Sequence, residues 1–339
     1  MRSIRSALLA AASLAVCALP ATQAFAWGAA GHRLIGQVAV EALPLTLPAF
    51  LHTREASDQI GEIAREPDRS RNAGQPHDAD LDPGHFIDID DQGKSLGGDP
   101  ITAMPRDRFD YEISLHAAGL SLYKGGYLYY NMVDGYEQLV KDFAYYRIET
   151  LALQQWTDPQ QKAWLVADLK LREALIIRDL GWWSHFIGDA SQPLHASIHF
   201  NGWGDFPNPH NYTQDKIHGP FEGAFVVANV TKGSLRAALP APSLCAGTIQ
   251  TCVGAYLAAT NAKTEPLFAL WTEGGFKPGD KRGVAFVTER VATGAAMLRD
   301  LVTKAWFASE DGSAGHPEIT VKAVEGGAPV PFATLYGDD

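Results

Sequence analysis

The chain has 339 residues, 46% of them hydrophobic, with 28 basic and 39 acidic residues and a formal net charge of −11. That apolar share is ample for a sizeable core and excludes a disordered, low-complexity chain. A net acidic protein does not draw nucleic acid by its overall field, so any phosphate-bearing substrate must be held by local positive charge.

Arg2 and Arg5 precede an apolar run from Ala7 to Leu19, and Ala24-Phe25-Ala26 has the small–x–small form of a cleavage site. The pattern predicts a secretory signal peptide over residues 1–26, cut after Ala26, and hence a secreted or periplasmic protein. Leu14-Ala15-Val16-Cys17 is a competing, faint lipobox, with Val16 large for the position before a lipidated cysteine. Cleavage after Ala26 leaves 27–339 as the mature chain, with 26 basic against 39 acidic residues and a charge of −13. Trp27 then offers a free α-amino nitrogen and a carbonyl oxygen as donors. No later run reaches the roughly 18 apolar residues of a membrane-spanning helix, so no transmembrane segment is expected.

Apolar residues recur at helical spacing over 30–43 and, more weakly, over 55–66, where Pro67 predicts a stop. Residues 74–110 are rich in Gly, Pro and Asp and read as a long irregular excursion around His85-Phe86-Ile87-Asp88. Further helical stretches occupy 111–153, with a Gly-Gly-Tyr turn at 125–127. The longest helical pattern runs over 159–192 to the Gln192-Pro193 break. A polar loop follows at 200–217. Helices are predicted over 220–228, with Pro220 in the first turn, and over 249–271 and 281–307. From about residue 308 the tail is Gly-, Pro- and Ala-rich, with a short strand or loop expected in 321–330. Strand alternation is scarce, so the reading is all-α, one mainly helical domain. Cys245 and Cys252, close in sequence in an exported chain, predict a local disulfide.

The chemistry concentrates in Trp183-Ser-His185-Phe-Ile-Gly-Asp189-Ala-Ser-Gln-Pro-Leu-His195 and His218-Gly-Pro-Phe-Glu222. His185 and Asp189 stand at i and i+4, as do His218 and Glu222, and that spacing puts both side chains on one helix face. Imidazole beside carboxylate suits a divalent cation, zinc first. Any single histidine is more often a hydrogen-bonded structural residue, and His52, His77, His116, His199, His210 and His316 are read that way.

The ordered set Trp27, His32, Asp68, His85-Phe-x-Asp88, His185-x3-Asp189-x5-His195 and His218-x3-Glu222 resembles the S1/P1 nuclease and zinc-dependent phospholipase C superfamily. The resemblance runs from Trp27 to Glu222. It implies an all-helical, three-zinc phosphodiester hydrolase of the phospholipase C/P1 nuclease type. Trp27 and His32 would hold one zinc, with Asp189 bridging to a second. His85 and His185 would complete that second site, with Asp68 close by. His195, His218 and Glu222 would hold the third. Bridged dications lower the pKa of a bound water, and a carboxylate beside it accepts its proton. The resemblance gives that catalytic role to Asp68, while Glu66, Asp78, Asp80 and Asp82 compete for it. Phe86 and Asp88 match residues that hold a nucleobase in the nuclease branch.

The short step from Trp27 to His32 and the long loop between His195 and His218 are similar to the nucleases. Glu222 stands where nucleases usually carry Asp and phospholipases carry Glu. The nucleases' Gly-Gly-Asn element is replaced by Asn201-Gly-Trp-Gly-Asp-Phe-Pro-Asn-Pro-His210. The expected substrate is therefore single-stranded DNA or RNA, with phospholipid head groups as the alternative and no obligate protein partner implied. For the alternative, Phe200, Trp203, Phe206 and Tyr212 would supply an apolar rim; the same aromatics could equally stack bases, and Trp203, like Trp182 and Trp183, is read mostly as core or pocket wall.

Overall fold

The computed structural model describes residues 27–337, so the signal-peptide reading and its cleavage site lie outside the described residues. The chain opens with α1 (Gly28–Glu41) and, after a 3-10 turn at Ala49–His52, α2 (Arg54–Ile63). The Thr53 hydroxyl caps α2 by accepting the Ala56 N–H at 3.0 Å. α2 ends before Pro67, as expected, but Pro67 then sits in the first turn of a short α3 (Glu66–Arg69) that carries Asp68. Proline fits there because the first N–H groups of a helix have no partner to lose.

The excursion predicted over 74–110 is not wholly irregular. It holds α4 (His77–Leu81), 3-10 turns at Asp82–His85 and Ile101–Ala103, and the start of α5 (Arg108–Ala117). These pieces are a turn or two long, too short for a periodic signal to stand out. The short α6 (Leu122–Gly125) leads to α7 (Leu128–Gln155) and α8 (Pro159–Asp189), the most extensively packed helix pair. Asp158 starts α8 by accepting the N–H groups of Gln160 and Gln161. α9 (Phe225–Asn229), α10 (Lys232–Ala238), α11 (Ile249–Asn261), α12 (Thr264–Thr272) and α13 (Lys281–Ala308) follow. The single helix expected over 249–271 is two, broken at Ala262-Lys263, and α10 was not anticipated.

The tail corrects a further expectation. Its strands are upstream of 321–330, a two-residue antiparallel pair of β1 (Ser313–Ala314) with β2 (Ile319–Thr320), and Val321 starts a helix, α14 (Val321–Glu325). With α15 (Phe332–Tyr336) this tail closes a small core of its own around Trp156, Leu165 and Val330. The Trp156 indole N–H donates to Val330 O at 2.7 Å.

The fold is thus mainly helical. The principal core lies between α1, α7, α8, α11 and α13, with Ile35, Leu139, Leu180, Ile187, Val291 and Leu298 fully buried. Each such side chain contributes about 2 kcal/mol by burial. α8 is amphipathic in its first half and buried nearly all round at its end, from Leu180 to Asp189. Two glycines allow that. A Cβ at Gly135 would fall 2.1 Å from Trp183, and one at Gly188 would fall 3.0 Å from His32 Nδ1. The paired Trp182-Trp183 is therefore packing, with the Trp183 indole donating to Met132 O at 3.0 Å. Cys245 and Cys252 are bonded, with Cα atoms 5.9 Å apart. Among the described residues no helix is long and apolar enough to cross a membrane.

Candidate metal centre

The buried end of α8 carries His185 and Asp189 into the middle of the molecule, one helical turn apart. α1 brings His32 beside them, its ring stacked on His185 with centroids 3.8 Å apart. α3 supplies Asp68 and the following 3-10 turn supplies His85. The chain segments around His85 and His195 are tied together: Ile87 N–H donates to His195 O at 2.9 Å and Ile198 N–H to Ile89 O at 3.1 Å. That pairing sets His195, in the 3-10 turn Pro193–His195, next to the first cluster.

The helix expected over 220–228 begins as a π-helical turn, Pro220–Ala224, before α9. The wider turn still leaves His218 Nε2 2.8 Å from Glu222 Oε2.

Three groups of possible metal ligands result: His32, His185 and Asp189; Asp68, His85 and His185; and His195, His218 and Glu222, every member buried. In the third, His195 Nε2 lies 3.0 Å from His218 Nε2 and 3.5 Å from Glu222 Oε2. In the first two, His32 Nε2 is 3.3 Å from Asp189 Oδ1, and Asp189 Oδ2 is 3.2 Å from both His85 Nδ1 and His185 Nε2. Tetrahedral zinc with bonds near 2.05 Å separates its donors by roughly 3.3 Å, so these spacings suit such an ion.

The hydrogen bonds select which nitrogens are free to ligate. His185, His195 and His218 turn Nδ1 to the carbonyls of Ala64, His85 and Phe200, at 2.8, 2.6 and 2.6 Å. A carbonyl can only accept, so Nδ1 carries the proton and Nε2 presents its lone pair to the group. Both nitrogens of His32, Asp68 Oδ1, Asp189 Oδ1 and Glu222 Oε1 are buried without a hydrogen-bond partner. Orphaned atoms of this kind are costly, and a bound cation would complete them.

Electrostatics agree. Burial and the neighbouring His185 lower His32, and burial lowers His85. Burial opposes the charge on His185 as well, but Asp189 and Asp68 outweigh it and raise it. Burial likewise opposes the charge on Asp189, yet His185, His32 and His85 hold it well below the usual carboxylate range. His195 is pushed up to about 9 against its burial, by Glu222 and Asp189. A divalent cation would take the place of the protons these groups compete for.

Of the carboxylates weighed for the catalytic role, Asp68 alone joins a ligand group. Its Oδ1 lies 3.8 Å from His185 Nε2 and 4.0 Å from His85 Nδ1. Glu66 pairs with Arg69, Asp78 with His77 and the Ala73 and Gly74 N–H groups, and Asp82 with Arg71; Asp80 is exposed. The Trp27 side chain is fully buried, its indole N–H shared between Gly188 O at 2.9 Å and Ser191 Oγ at 2.8 Å. This fixes the start of α1 against the end of α8.

A cavity of about 360 Å³ opens onto the second and third groups, lined by His85, Phe86, Asp88, Tyr123, Lys124, Arg71, His195, Phe200 and His218 among others. Asp88 is buried, and burial raises it to about 8 against the pull of His195 and Lys124. Arg71, Tyr123 and Lys124 were not legible as site residues: nothing in their local sequence links them to the motifs. Of the four aromatics expected at the rim, Phe200 and Phe206 are exposed, while Trp203 and Tyr212 are buried against Phe268. His199 is structural, held between Trp203 O at 2.6 Å and Asp91 Oδ1 at 2.9 Å. It faces a larger cavity of about 530 Å³ that none of the three ligand groups lines. No protein-family model matches the chain, and no curated protein matches it.

Proposed function

We propose that this chain is a zinc-dependent phosphodiester hydrolase of the S1/P1 nuclease type, acting on single-stranded DNA or RNA. The observation that carries the reading is the convergence of three buried histidine–carboxylate groups, two of them opening onto one cavity. Their donor set is nitrogen and carboxylate oxygen without thiolate, which suits zinc.

Bound dications would supply Lewis acidity, water activation and charge for the phosphate. His32, Asp189 and the Trp27 main chain would hold the first, His85, His185 and Asp68 the second, and His195, His218 and Glu222 the third. Asp68 accepts the proton of the attacking water or orients it. Arg71 and Lys124, the two cationic side chains of the cavity wall, bring local positive charge to a protein whose net charge is negative. Phe86 offers an aromatic face to a base, and such stacking tolerates any sequence. Asp88, its carboxyl raised by burial, stands beside Phe86 where it can hydrogen-bond a base edge.

The test is hydrolysis by zinc-loaded protein beginning at Trp27, on single-stranded DNA, RNA and a phosphatidylcholine emulsion in parallel, with and without chelator. Chelator-sensitive cleavage of nucleic acid supports the reading. Head-group release alone would move the protein to the phospholipase branch, and the burial of Trp203 and Tyr212 weighs against that outcome.

A further inference from the structure

Gln192 is fully buried between α8 and the turn that carries His195. Its Oε1 accepts the Leu194 N–H at 2.6 Å, which caps the 3-10 turn Pro193–His195. That bond fixes the orientation of the carboxamide, because the flipped amide would set its NH2 group against a backbone N–H. Nε2 must therefore face the other way, and there it donates to Glu222 Oε2 at 3.0 Å and lies 3.3 Å from His218 Nε2. One side chain thus touches the segments that bear all three members of the third ligand group. Glu222 Oε1 is left without a hydrogen-bond partner.

We propose that Gln192 is the positioning residue of the third metal position: its amide N–H holds the Glu222 carboxylate in one orientation, while its carbonyl holds the turn that presents His195. The inference rests on the zinc reading above. The physical basis is that an ion's affinity depends on ligands already in place. A donor to a ligating carboxylate fixes its rotation before the metal arrives, and losing such a partner weakens binding about 10–100-fold. Gln192 itself is not a ligand in this scheme, since its amide nitrogen has no lone pair to give.

Gln192→Met keeps the length and removes both polar contacts. The experiment is zinc retention by the full mature chain under competition with a graded chelator, beside the melting temperature of the metal-free protein. Wild type should hold three ions. The variant should hold two as tightly as wild type and lose the third at about 10–100-fold lower chelator strength, with only a modest fall in metal-free melting temperature from the lost acceptor of the Leu194 N–H. Three ions held with wild-type affinity, or all three lost together with a large fall in metal-free stability, would overturn the proposal. Should the variant not fold, the side-chain amide resonances of Gln192 in wild type decide the matter. They should shift as the last ion binds, and unmoved resonances would overturn it. Wild type that takes no ion at His195, His218 and Glu222 would defeat the zinc reading itself, a different failure from a variant that behaves like wild type.

Discussion

Asp189 Oδ1 lies 3.3 Å from His32 Nε2, while the other oxygen of the same carboxylate turns to His85 and His185 at 3.2 Å. One buried side chain therefore faces two ligand groups with separate atoms, as a carboxylate bridging two ions would. His185 borders both groups, but with its Nδ1–H donated to Ala64 O it has one nitrogen, Nε2, to give. Asp189→Ala should then cost two ions, whereas His218→Asn should cost one. Zinc counted per chain after dialysis checks this, and one ion lost from each variant would count against a shared site.

Asp68 is expected to act on water. Asp68→Asn should lower kcat on a single-stranded substrate by about 10²–10⁴-fold, the usual worth of a positioned base. Glu66→Gln and Asp78→Asn, whose carboxylates point to Arg69 and to His77, should stay near the wild-type rate. A Glu66 variant as damaged as the Asp68 variant would shift the assignment.

In the proposed site the first position would draw on the main chain of Trp27. Protein left with extra residues ahead of Trp27 has an acylated nitrogen there, which cannot ligate. It should bind one ion more weakly and lose activity, and full activity with such a tag would remove Trp27 from the ligand set. Trp27→Phe tests the indole separately. It keeps the ring buried but drops the donor to Gly188 O and Ser191 Oγ, and should cost about 1 kcal/mol of thermal stability.

Stability should also carry a pH signature remote from the metal centre. Asp142 and Glu149 on α7 share Arg172 of α8, and burial raises the two acids to about 6 and about 7. A raised carboxyl favours the folded state when protonated. Its contribution is complete below the ordinary carboxylate range and is lost as pH climbs through 6 and 7. Glu149→Gln should flatten the fall in melting temperature between pH 5 and 8. The gain over wild type at the upper end should be on the order of 2 kcal/mol. Measuring both proteins in chelator separates this from metal release, and parallel curves would refute it.

The helical fold and the residues that gather in the candidate metal groups were legible because helices print their period in the sequence. His185 and Asp189 stand one turn apart on α8, so their meeting could be read directly. His218 and Glu222 have the same spacing and meet as well, although the turn between them is π-helical rather than α. What stayed hidden depends on contacts between distant segments. The carbonyls of Ala64, His85 and Phe200 that orient three histidines belong to the backbone and leave no mark on residue identity. Gln192 stands inside the conspicuous motif, yet its partner Glu222 is 30 residues on, so only the folded chain reveals the pair. That Trp203 and Tyr212 turn inward while Phe200 and Phe206 stay exposed was hidden for the same reason: composition marks a loop as aromatic but not which rings are buried.

Zinc titration of chelator-stripped protein, with bound ions and cleaved single-stranded DNA measured in the same samples, tests the reading most directly. Hydrolysis should be absent in stripped protein and should rise to a plateau as occupancy reaches three ions per chain. Undiminished cleavage by stripped protein, or three ions bound with no phosphodiester cleaved, would contradict it.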